Sequence, residues 1–590
     1  MKVIRDNVHE DIELSPAEMS IIHTRGFQRL HGCRQLGLTH LIYPGAKHSR
    51  FEHVLGVMQV ATKIGKALKE RGEFFTDPKD DFTTDSEGIL LGKLLRLAAL
   101  LHDMGHVPFG HTLEDEMPVI PKHDEPSHGK QHSRMDDTVS EVLRSSGNAQ
   151  YVEPVLRVLR AISESKNDKT LYTLVDSGEI PPEYLVLADI IGNTICADLL
   201  DYIIRDHMMT GISATYDDRI FQYFGVGEHS WNEKPYKRIV IKLVRNGRFR
   251  KDALADLLDI LKLRYNLSDK VLFHPKKCSA DAMLIKAVSG SRLVGQLMHY
   301  SDDALLHALR NNSLVRMIQR RDLFNPVFSC GPDDISIFST RAVAKEDVIL
   351  ELHRNTNEIR TRIEQLVEER LGFPSRETSV LIYCPRPKMT LKPVLALVQW
   401  KDNTVRRLNE IPASEDTITA DQIGVLQDIY PRLWRLYLFV HPKLRCRGSE
   451  IRAEFLRALK DETGLTARCD PALENYLEVG CFDYKIGKML DKELGGREGY
   501  SKMPATGRHA AWKECFEKVS ASPDGLRARD DRFEDATPAV ELASRDEGGL
   551  KRRMSHVVDS VLRAHSRKES TKRQRGHHRG SSGSARLREA

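Results

Sequence analysis

The sequence predicts a mainly α protein, in which a helical core is followed by a smaller α+β lobe and a disordered basic tail. Three observations support this fold class. Apolar residues recur at helical spacing in the first 320 residues, short β-rich runs appear from about residue 378, and the last 25 residues carry almost no large apolar side chains. A segment with that last composition cannot bury enough apolar surface to fold.

The helical core contains three strongly apolar segments. From Arg50 to Arg71 one stripe of a helix is apolar, and it consists of Val54, Val57, Met58, Ala61, Ile64 and Leu68. A second helix is predicted from about Gly88 to Asp103, because leucine and alanine dominate it and the helix breakers Gly105 and Pro108 follow. A third helix is predicted over about 183–209. The polar segments 75–87 and 118–131 between them are predicted to be surface loops.

The pattern changes in the C-terminal half of the chain. The runs SVLIYC, PVLALVQW and RLYLFVH predict strands, which makes 378–445 an α+β lobe, and helices are expected to resume over 449–495. The predicted domains are a catalytic domain over 1–320, a helical and α+β lobe over 321–520, and a charged linker with the tail over 521–590. Length alone allows two or three domains.

Composition excludes several classes of protein. Hydrophobic residues make up 40% and charged residues 29% of the chain, as in an ordinary soluble protein. No apolar run approaches the ~18 residues of a membrane span, and the N-terminus has no signal-peptide core. The nine cysteines form no CxxC pair, which argues against a zinc ribbon or a disulfide framework. A cytoplasmic location is expected.

The net charge of +5 comes from the tail. Residues 551–590 hold 12 Lys/Arg against 3 Asp/Glu, a net charge of +9, so the remainder has 77 against 81, or −4. The tail can contact nucleic acid without sequence specificity, through counterion release, or it can simply keep the protein soluble. Its basic part, 552–588, contains no aromatic residue on which a base could stack.

Four residues in the core segments suit a metal site. His53 lies near the start of one predicted helix, His102 and Asp103 end another after a run of apolar residues, and Asp198 lies in the third. Imidazoles and carboxylates bind divalent transition metals, and a buried Asp103 would need a cation because an unpaired buried carboxylate is costly. On the third helix, Asp201 and Arg205 are interpreted as a surface ion pair.

The ordered motifs around these residues resemble a known family. The segment IRDNVHEDIELSPAEMSIIHTRGFQRLHGCRQLGLTHLIYPGAKHSRFEHVLGVMQVA is similar to the start of the HD-domain deoxynucleoside triphosphate triphosphohydrolases, which include the bacterial dGTPases. The resemblance continues through LLHDMGHVPFGHTLEDE and ADLLDYIIRDHMMTGI, and covers roughly residues 4–280. It implies a helical metal-dependent phosphohydrolase core.

The resemblance also implies a role for each matching residue. His53, His102, Asp103 and Asp198 would hold a divalent metal ion, which could be Mg, Mn, Fe or Zn. His106 would face the α-phosphate, His111 with Glu114 behind it would orient a water or a phosphate oxygen, and His132 would lie beside the leaving oxygen, although His123 and His128 compete for that place. The implied substrate contacts are Arg50, Gln35, Leu36, Tyr202, Asp206 and Arg264. A histidine suits the leaving oxygen because it can deliver a proton near pH 7.

The sequence departs from this family at three substrate positions. Leu199 stands where close relatives have a phosphate-binding lysine, which removes a contact worth about 1.5–3 kcal/mol. Leu272 and Phe273 replace a Tyr–Gln pair beside the sugar, and Lys270 or Lys276 is a candidate to replace the lost charge. The resembling family also includes a vertebrate dNTPase that is activated by a guanine nucleotide. His23 and His31 occupy the positions that bind this nucleotide there, so activation by GTP is not expected here.

Three functions remain open at this point. The first is hydrolysis of a dNTP, dGTP among them, to a deoxynucleoside and triphosphate, in a homo-oligomer. The second is an HD phosphohydrolase or phosphodiesterase acting on a nucleoside monophosphate or cyclic nucleotide, which Leu199 and Leu272 favour. The third is a nucleic-acid-binding protein with a vestigial site, against which the intact ligand set argues.

Overall fold

The computed structural model describes residues 2–74, 89–125, 132–165, 167–337, 344–374, 377–387, 396–410, 417–471 and 473. These residues belong to one compact unit that spans Met1–Glu478. The predicted tail over 521–590 and the whole predicted surface loop over 75–87 lie outside the described residues. Within the described part, no helix is both long enough and apolar enough to cross a membrane.

The N-terminal part builds the first wall of the core. Its elements are β1 (Lys2–Asp6), β2 (Glu10–Leu14), α1 (Pro16–Ile22), α2 (Arg25–Gln28), α3 (Arg50–Glu70) and α4 (Leu91–Leu101). β1 and β2 form an antiparallel hairpin. α3 begins at a capping box, in which the backbone N–H of Ser49 donates to Glu52 at 2.7 Å. Every residue of its predicted apolar stripe is fully buried, which confirms that helix.

The third predicted helix is in fact two helices. The next elements are α5 (Arg134–Ser145), α6 (Val152–Glu164), α7 (Asp168–Asp176), α8 (Tyr184–Gly192) and α9 (Ala197–Thr210). The single helix predicted over 183–209 is therefore wrong, because the backbone becomes extended at Asn193. Gly192 packs against α6 so closely that a Cβ there would lie 2.3 Å from the Ile162 side chain. The break lets α9 start afresh just before Asp198.

A β-hairpin interrupts the part of the chain that was expected to be mostly helical. It consists of β3 (Phe224–Trp231) and β4 (Lys234–Lys242), and the short strands β5 (Val244–Arg245) and β6 (Arg248–Phe249) follow. The two turn residues, Asn232 and Glu233, have φ of 48° and 65°, which is typical of the turn that suits strand twist. Further helices then complete this half: α10 (Lys251–Leu267), α11 (Pro275–Ser289), α12 (Asp302–Ala308) and α13 (Ser313–Gln319).

The C-terminal half contains the predicted strands. In order it holds β7 (Asn325–Cys330), β8 (Ile335–Ile337), α14 (Lys345–Arg354), α15 (Ile359–Arg370), β9 (Val380–Tyr383), β10 (Leu397–Gln399), β11 (Val405–Arg407), α16 (Thr417–Ile429), β12 (Leu436–Val440), α17 (Gly448–Thr463) and β13 (Leu465–Ala467). β9, β10 and β12 confirm the three predicted strand runs. β7, β12 and β9 form an antiparallel sheet that packs on α15 and α17.

One sheet joins the two halves of the chain. Its strand order is β11-β10-β4-β3, and β10 runs parallel to β4, with Val398 opposite Ile241. Residues on both sides of the predicted boundary at 320 therefore share a sheet. This sheet brings Leu397 and Arg407 of the C-terminal half to the wall of the cavity described below.

Candidate active site

Residues of α3, α9 and the end of α4 converge on one point. His53 Nε2 lies 3.2 Å from Asp198 Oδ1, and His102 Nε2 lies 3.9 Å from the same oxygen. Asp103 completes the group, with its carboxylate 3.6 Å from His102 Nε2 and 3.8 Å from His53 Nε2. The structure thus brings together all four residues that the sequence proposed as metal ligands.

The two imidazoles are held in the orientation that a metal ligand needs. His53 Nδ1 bonds to Asp201 at 2.8 Å, and His102 Nδ1 bonds to the carbonyl of Ala99 at 2.7 Å. Each ring therefore turns its Nε2 toward the carboxylates, and the buried Nε2 of His102 has no hydrogen-bond partner. Oriented imidazoles with a free nitrogen, next to two carboxylates, fit a divalent transition metal.

Asp201 was missed as a functional residue. It is fully buried, and it accepts hydrogen bonds from His53, from His9 Nε2 at 2.7 Å and from the Arg205 guanidinium at 2.8 and 2.9 Å. Arg205 also binds Asp6 in the N-terminal hairpin at 2.9 Å. The surface pair predicted for Asp201 and Arg205 is therefore wrong, because both side chains lie in the core and tie the hairpin to the metal site.

Charge neutralisation keeps these buried carboxylates ionised. Burial raises the pKa of Asp103, but Arg50, His102 and His106 outweigh burial and hold that pKa well below its usual range. Burial also raises the pKa of Asp201, but its contacts with Arg205, His53 and His9 lower that pKa by more and hold it well below its usual range. The site is thus a cluster of fixed negative charges whose neighbours are basic.

Arg50 closes the site on the side of the loop after α4. Its buried guanidinium donates to Asp103 Oδ2, and its Nε has no hydrogen-bond partner. At Gly110, where φ is +33°, a Cβ would lie 2.5 Å from this guanidinium, so glycine is required there. Gly105, which follows α4, lies in a turn as expected. It also allows close packing, because a Cβ there would lie 3.0 Å from the Met135 backbone.

Glu114 contacts different histidines from the one expected. Its Oε2 accepts a hydrogen bond from His123 Nδ1 at 3.0 Å and lies 3.1 Å from His106 Nδ1, while its Oε1 lies 3.0 Å from Arg134. The predicted pairing of Glu114 with His111 is thus corrected. Glu114 is fully buried beneath the loop after α4, where His106 and His123 can reach it.

His111 and His132 lie in more open positions. His111 is about half exposed, lines the cavity, and bonds through Nδ1 to Asp115 at 2.6 Å. His132 is exposed just before α5, whereas His123 lies with its ring centroid 3.8 Å from that of His106. Three histidines, His123, His128 and His132, were candidates for the position beside the leaving oxygen. His128 lies outside the described residues. Of the other two, His123 is the one that lies beside the candidate metal site.

A cavity of about 330 Å³ opens beside Asp198. Five of the predicted substrate residues, contributed by several elements, line it: Gln35, Leu36, Tyr202, Asp206 and Arg264. Leu36 is buried to 8% exposure and packs with Ala46, Leu267 and Val271. The predicted sixth contact, Arg50, lies in the metal site instead.

His48 is a second residue that the sequence did not reveal. Its ring is fully enclosed, and its Nε2 lies 2.8 Å from Asp206 Oδ1. The backbone N–H of Gln35 also donates to the His48 carbonyl at 3.0 Å. His48 therefore fixes two residues of the cavity wall, Gln35 and Asp206, from behind.

The departures from the family pattern lie on the same wall. Leu199 is 2% exposed and lines the cavity together with Leu272. Lys276 bonds to Asn325 at 3.0 Å, so it is engaged elsewhere. Lys277 does line the cavity, but it is buried between Glu116 and Asp281. Arg264 also lines the cavity, near the residues predicted to bind the sugar. Among the described residues, it forms no ion pair with a carboxylate.

Part of this region matches a known domain family. Residues 50–206 match the model of the HD domain. An uncharacterized protein of Methanocaldococcus jannaschii is 27% identical over 478 residues, which cover 78% of this chain and 84% of that protein. The uncharacterized protein YwfO of Bacillus subtilis is 32% identical over 292 residues, or 48% of this chain and 54% of that protein.

A relative with a named activity covers a shorter stretch. The deoxynucleoside triphosphate triphosphohydrolase SAMHD1 of Gallus gallus is 32% identical over 229 residues. These residues are 37% of this chain and 36% of that protein, so the chain spans about a third of that relative's length.

Proposed function

We propose that this protein, whose residues 50–206 match the HD domain, is a phosphohydrolase. Its proposed reaction is hydrolysis of dNTPs to a deoxynucleoside and inorganic triphosphate. The proposal rests on one observation: the candidate metal-ligand group and the substrate cavity adjoin each other at Asp198. The ligand group of His53, His102, Asp103 and Asp198 opens at Asp198 into the cavity that Gln35, Leu36, Tyr202 and Asp206 line. A nucleotide with its sugar in the cavity would present a phosphate to the ligand group.

The residues divide the chemistry between them. A divalent ion held by His53, His102, Asp103 and Asp198, when bound, polarises a phosphoryl group and makes its phosphorus easier to attack. Tyr202 and Asp206 would bind the sugar, and Asp206 is oriented for a 3′-hydroxyl by His48. Arg264, which also lines the cavity, would bind the phosphates beyond the reacting one.

Proton delivery to the leaving 5′-oxygen is assigned to His111. It lines the cavity, and Asp115 holds its Nδ1, which leaves Nε2 as the nitrogen that would carry the transferred proton. Burial raises the pKa of Asp115, but the contacts with His111 and Lys122 lower it by more, so Asp115 stays ionised. His106 and Glu114 would act at the phosphate side.

A product analysis tests the function. Purified protein with Mn²⁺ or Mg²⁺ is incubated with a panel of dNTPs, NTPs, nucleoside monophosphates and cyclic dinucleotides, and the products are separated by chromatography. Release of a deoxynucleoside and triphosphate from a dNTP is the expected result. A second candidate function, hydrolysis of a monophosphate or cyclic nucleotide, is favoured by the apolar Leu199 and Leu272 on the cavity wall, and turnover of those substrates alone would identify it.

Discrimination against ribose is the first expected property of the cavity. A 2′-hydroxyl would meet the packed side chain of Leu36 without a hydrogen-bond partner, and burying an unpaired hydroxyl costs ~1–3 kcal/mol. We therefore expect kcat/KM for a dNTP to exceed that for the matching NTP by at least ~10-fold. Leu36→Gly should reduce this ratio and leave the metal content unchanged. Equal kcat/KM for the two substrates in the wild-type protein would contradict the sugar pocket and move the second candidate function ahead.

We also propose that the protein is a homo-oligomer, as its resemblance to the dNTP triphosphohydrolases implies. Light scattering of the full chain, with and without nucleotides, is expected to give a multiple of the 67.1 kDa chain mass. A monomer under both conditions would contradict this proposal without affecting the assigned chemistry.

A further inference from the structure

The first residue of α12 joins two segments of the candidate active site. Asp302 is fully buried, and its Oδ1 accepts a hydrogen bond from the backbone N–H of Phe109 at 2.8 Å. Its Oδ2 accepts one from the backbone N–H of Arg34 at 2.9 Å. We propose that Asp302 is a positioning residue, which sets the distance between the cavity wall at Gln35 and residues 102–111, which we call the histidine loop. The inference rests on the proposed function, because both segments are assigned there to the nucleotide.

The histidine loop has a backbone that needs support from outside. Phe109 and Gly110 follow each other with φ of 58° and 33°, which lie in the left-handed region. A phenylalanine rarely adopts such an angle, and it persists only where the surroundings hold it. The carboxylate of Asp302 holds its N–H, and the core around α12 buries its ring. The held residues directly precede His111, to which proton delivery is assigned, and follow His106 on the phosphate side.

The segment around Arg34 lies directly against the start of α12. A Cβ at Gly32 would lie 2.4 Å from the Cβ of Ser301, so a side chain larger than hydrogen does not fit between them. The Arg34 side chain donates to the exposed carboxylate of Asp303 at 2.8 and 3.0 Å. Arg34 is thus held by two neighbouring carboxylates, through its backbone by the buried Asp302 and through its side chain by the exposed Asp303.

The two hydrogen bonds of Asp302 close a ring of contacts around Arg50. The backbone N–H of Arg50 donates to the carbonyl of Cys33 at 2.8 Å, and its guanidinium lies against Gly110, where a Cβ would be 2.5 Å away. Asp302 binds the residue that follows Cys33 and the residue that precedes Gly110. Because Arg50 also donates to Asp103, a shift of either segment would move the residue that closes the metal site.

The stability of the fold does not account for a charge at this position. Burial raises the pKa of Asp302 to about 6, although the backbone N–H groups of Arg34 and Phe109 and the charges of Arg34 and Arg50 lower it. An acid whose pKa is higher in the folded than in the unfolded state reduces the free energy of unfolding as the pH rises between those two values. At neutral pH the ionised Asp302 is therefore less favourable for folding than a neutral side chain of the same shape. Its contribution is to geometry.

Replacing Asp302 with asparagine tests the inference. The amide keeps the shape of the carboxylate, but its NH2 group must face one of the two backbone N–H donors, so one segment loses its acceptor. We expect kcat/KM for a dNTP to fall by ~10–100-fold, because a reacting group displaced by ~1 Å can lose about 100-fold in rate. The preference for a dNTP over the matching NTP should also decrease. Bound metal and the urea midpoint of unfolding should stay close to the wild-type values.

Asp303→Asn is the matched control. It weakens the exposed contact of the same arginine and leaves the buried carboxylate in place. This variant should match the wild-type chain in kcat/KM, in the dNTP preference, in bound metal and in unfolding.

Hydrogen exchange measured by mass spectrometry follows the two segments without a substrate. Peptides that cover 33–36 and the histidine loop should exchange faster in the full-length Asp302→Asn chain than in the wild-type chain. Peptides from α17, which packs in the core of the C-terminal half, should exchange at the wild-type rate and serve as the internal reference. Asp303→Asn should leave both site segments at the wild-type rate.

The remaining outcomes separate the inference from the proposed function. Wild-type kinetics and wild-type exchange in Asp302→Asn would overturn the inference. A loss of activity that only parallels a loss of metal or a lower urea midpoint would also overturn it, because Asp302 would then act on stability alone. If the wild-type chain hydrolysed no nucleotide while Asp302→Asn still exchanged faster in both segments, the proposed function would fail and the link between the segments would stand.

Discussion

Replacing His102 or Asp103 with alanine is expected to abolish hydrolysis and to reduce bound metal. His102 presents a buried, unpartnered Nε2 to Asp198, and Asp103 lies within 4 Å of three imidazoles. Loss of a residue that only supports a ligand costs ~10–100-fold in metal affinity, and loss of the ligand itself should cost more. Asp103→Ala should have the larger effect on bound metal, because it removes a negatively charged group that faces three imidazoles.

The measurement combines elemental analysis with turnover of a dNTP. His353→Ala is a matched control for His102→Ala, because His353 is also buried and its Nδ1 also bonds to a backbone carbonyl, that of Cys384 at 3.1 Å. The control should keep both metal and activity. Full metal occupancy with normal turnover in the two site variants would overturn the four-ligand assignment.

Replacing Asp201 with alanine is expected to destabilise the whole fold. Asp201 accepts hydrogen bonds from His9, His53 and Arg205 in the core. Its removal would leave the two histidines without an acceptor and the buried Arg205 without this counterion. Breaking a buried charge pair of this kind costs ~3–5 kcal/mol in the free energy of unfolding. Because His53 also loses its support, metal affinity should fall by ~10–100-fold in the same variant.

Urea denaturation of the metal-free and metal-loaded protein separates the two effects. Asp218→Ala is the comparison, since Asp218 forms an exposed pair with Lys63 of α3 at 3.4 Å. An exposed pair contributes ~0–1 kcal/mol, so this variant should unfold near the wild-type midpoint. If Asp201→Ala behaved like Asp218→Ala, the buried network would not support the site as described.

The candidate metal ligands could be picked out from the sequence because they lie in local motifs. His53 follows a helix start, His102 and Asp103 follow a leucine-rich helix, and these short-range patterns place the ligands at helix ends. Asp201 could not be recognised in this way. Its partner His9 is 192 residues away in the chain, and an Asp and an Arg four residues apart on a helix normally indicate a solvated pair. This pair is buried because the N-terminal hairpin packs over it, with His9 against Asp201 and Asp6 against Arg205.

Other differences also depend on contacts between distant segments. Three histidines, at positions 123, 128 and 132, follow α4 in one polar region, and spacing alone does not select one of them. The hairpin of β3 and β4 was missed because its turn residues are Asn232 and Glu233 instead of the Asn–Gly or Asp–Gly pair that signals such a turn. The break after Gly192 results from its contact with Ile162 on another helix.

The parallel pairing of β10 with β4 has a consequence for any shortened form of this protein. A chain ending near residue 320 would expose the backbone N–H and C=O groups of β4 along a free edge, which invites association with other chains. It would also lack Leu397, Arg407 and Tyr430, so one side of the substrate cavity would open to water. Under the proposed function, the smallest self-sufficient catalytic unit therefore extends past residue 430. It includes the strands after residue 378 as well as the helices that carry the candidate metal ligands.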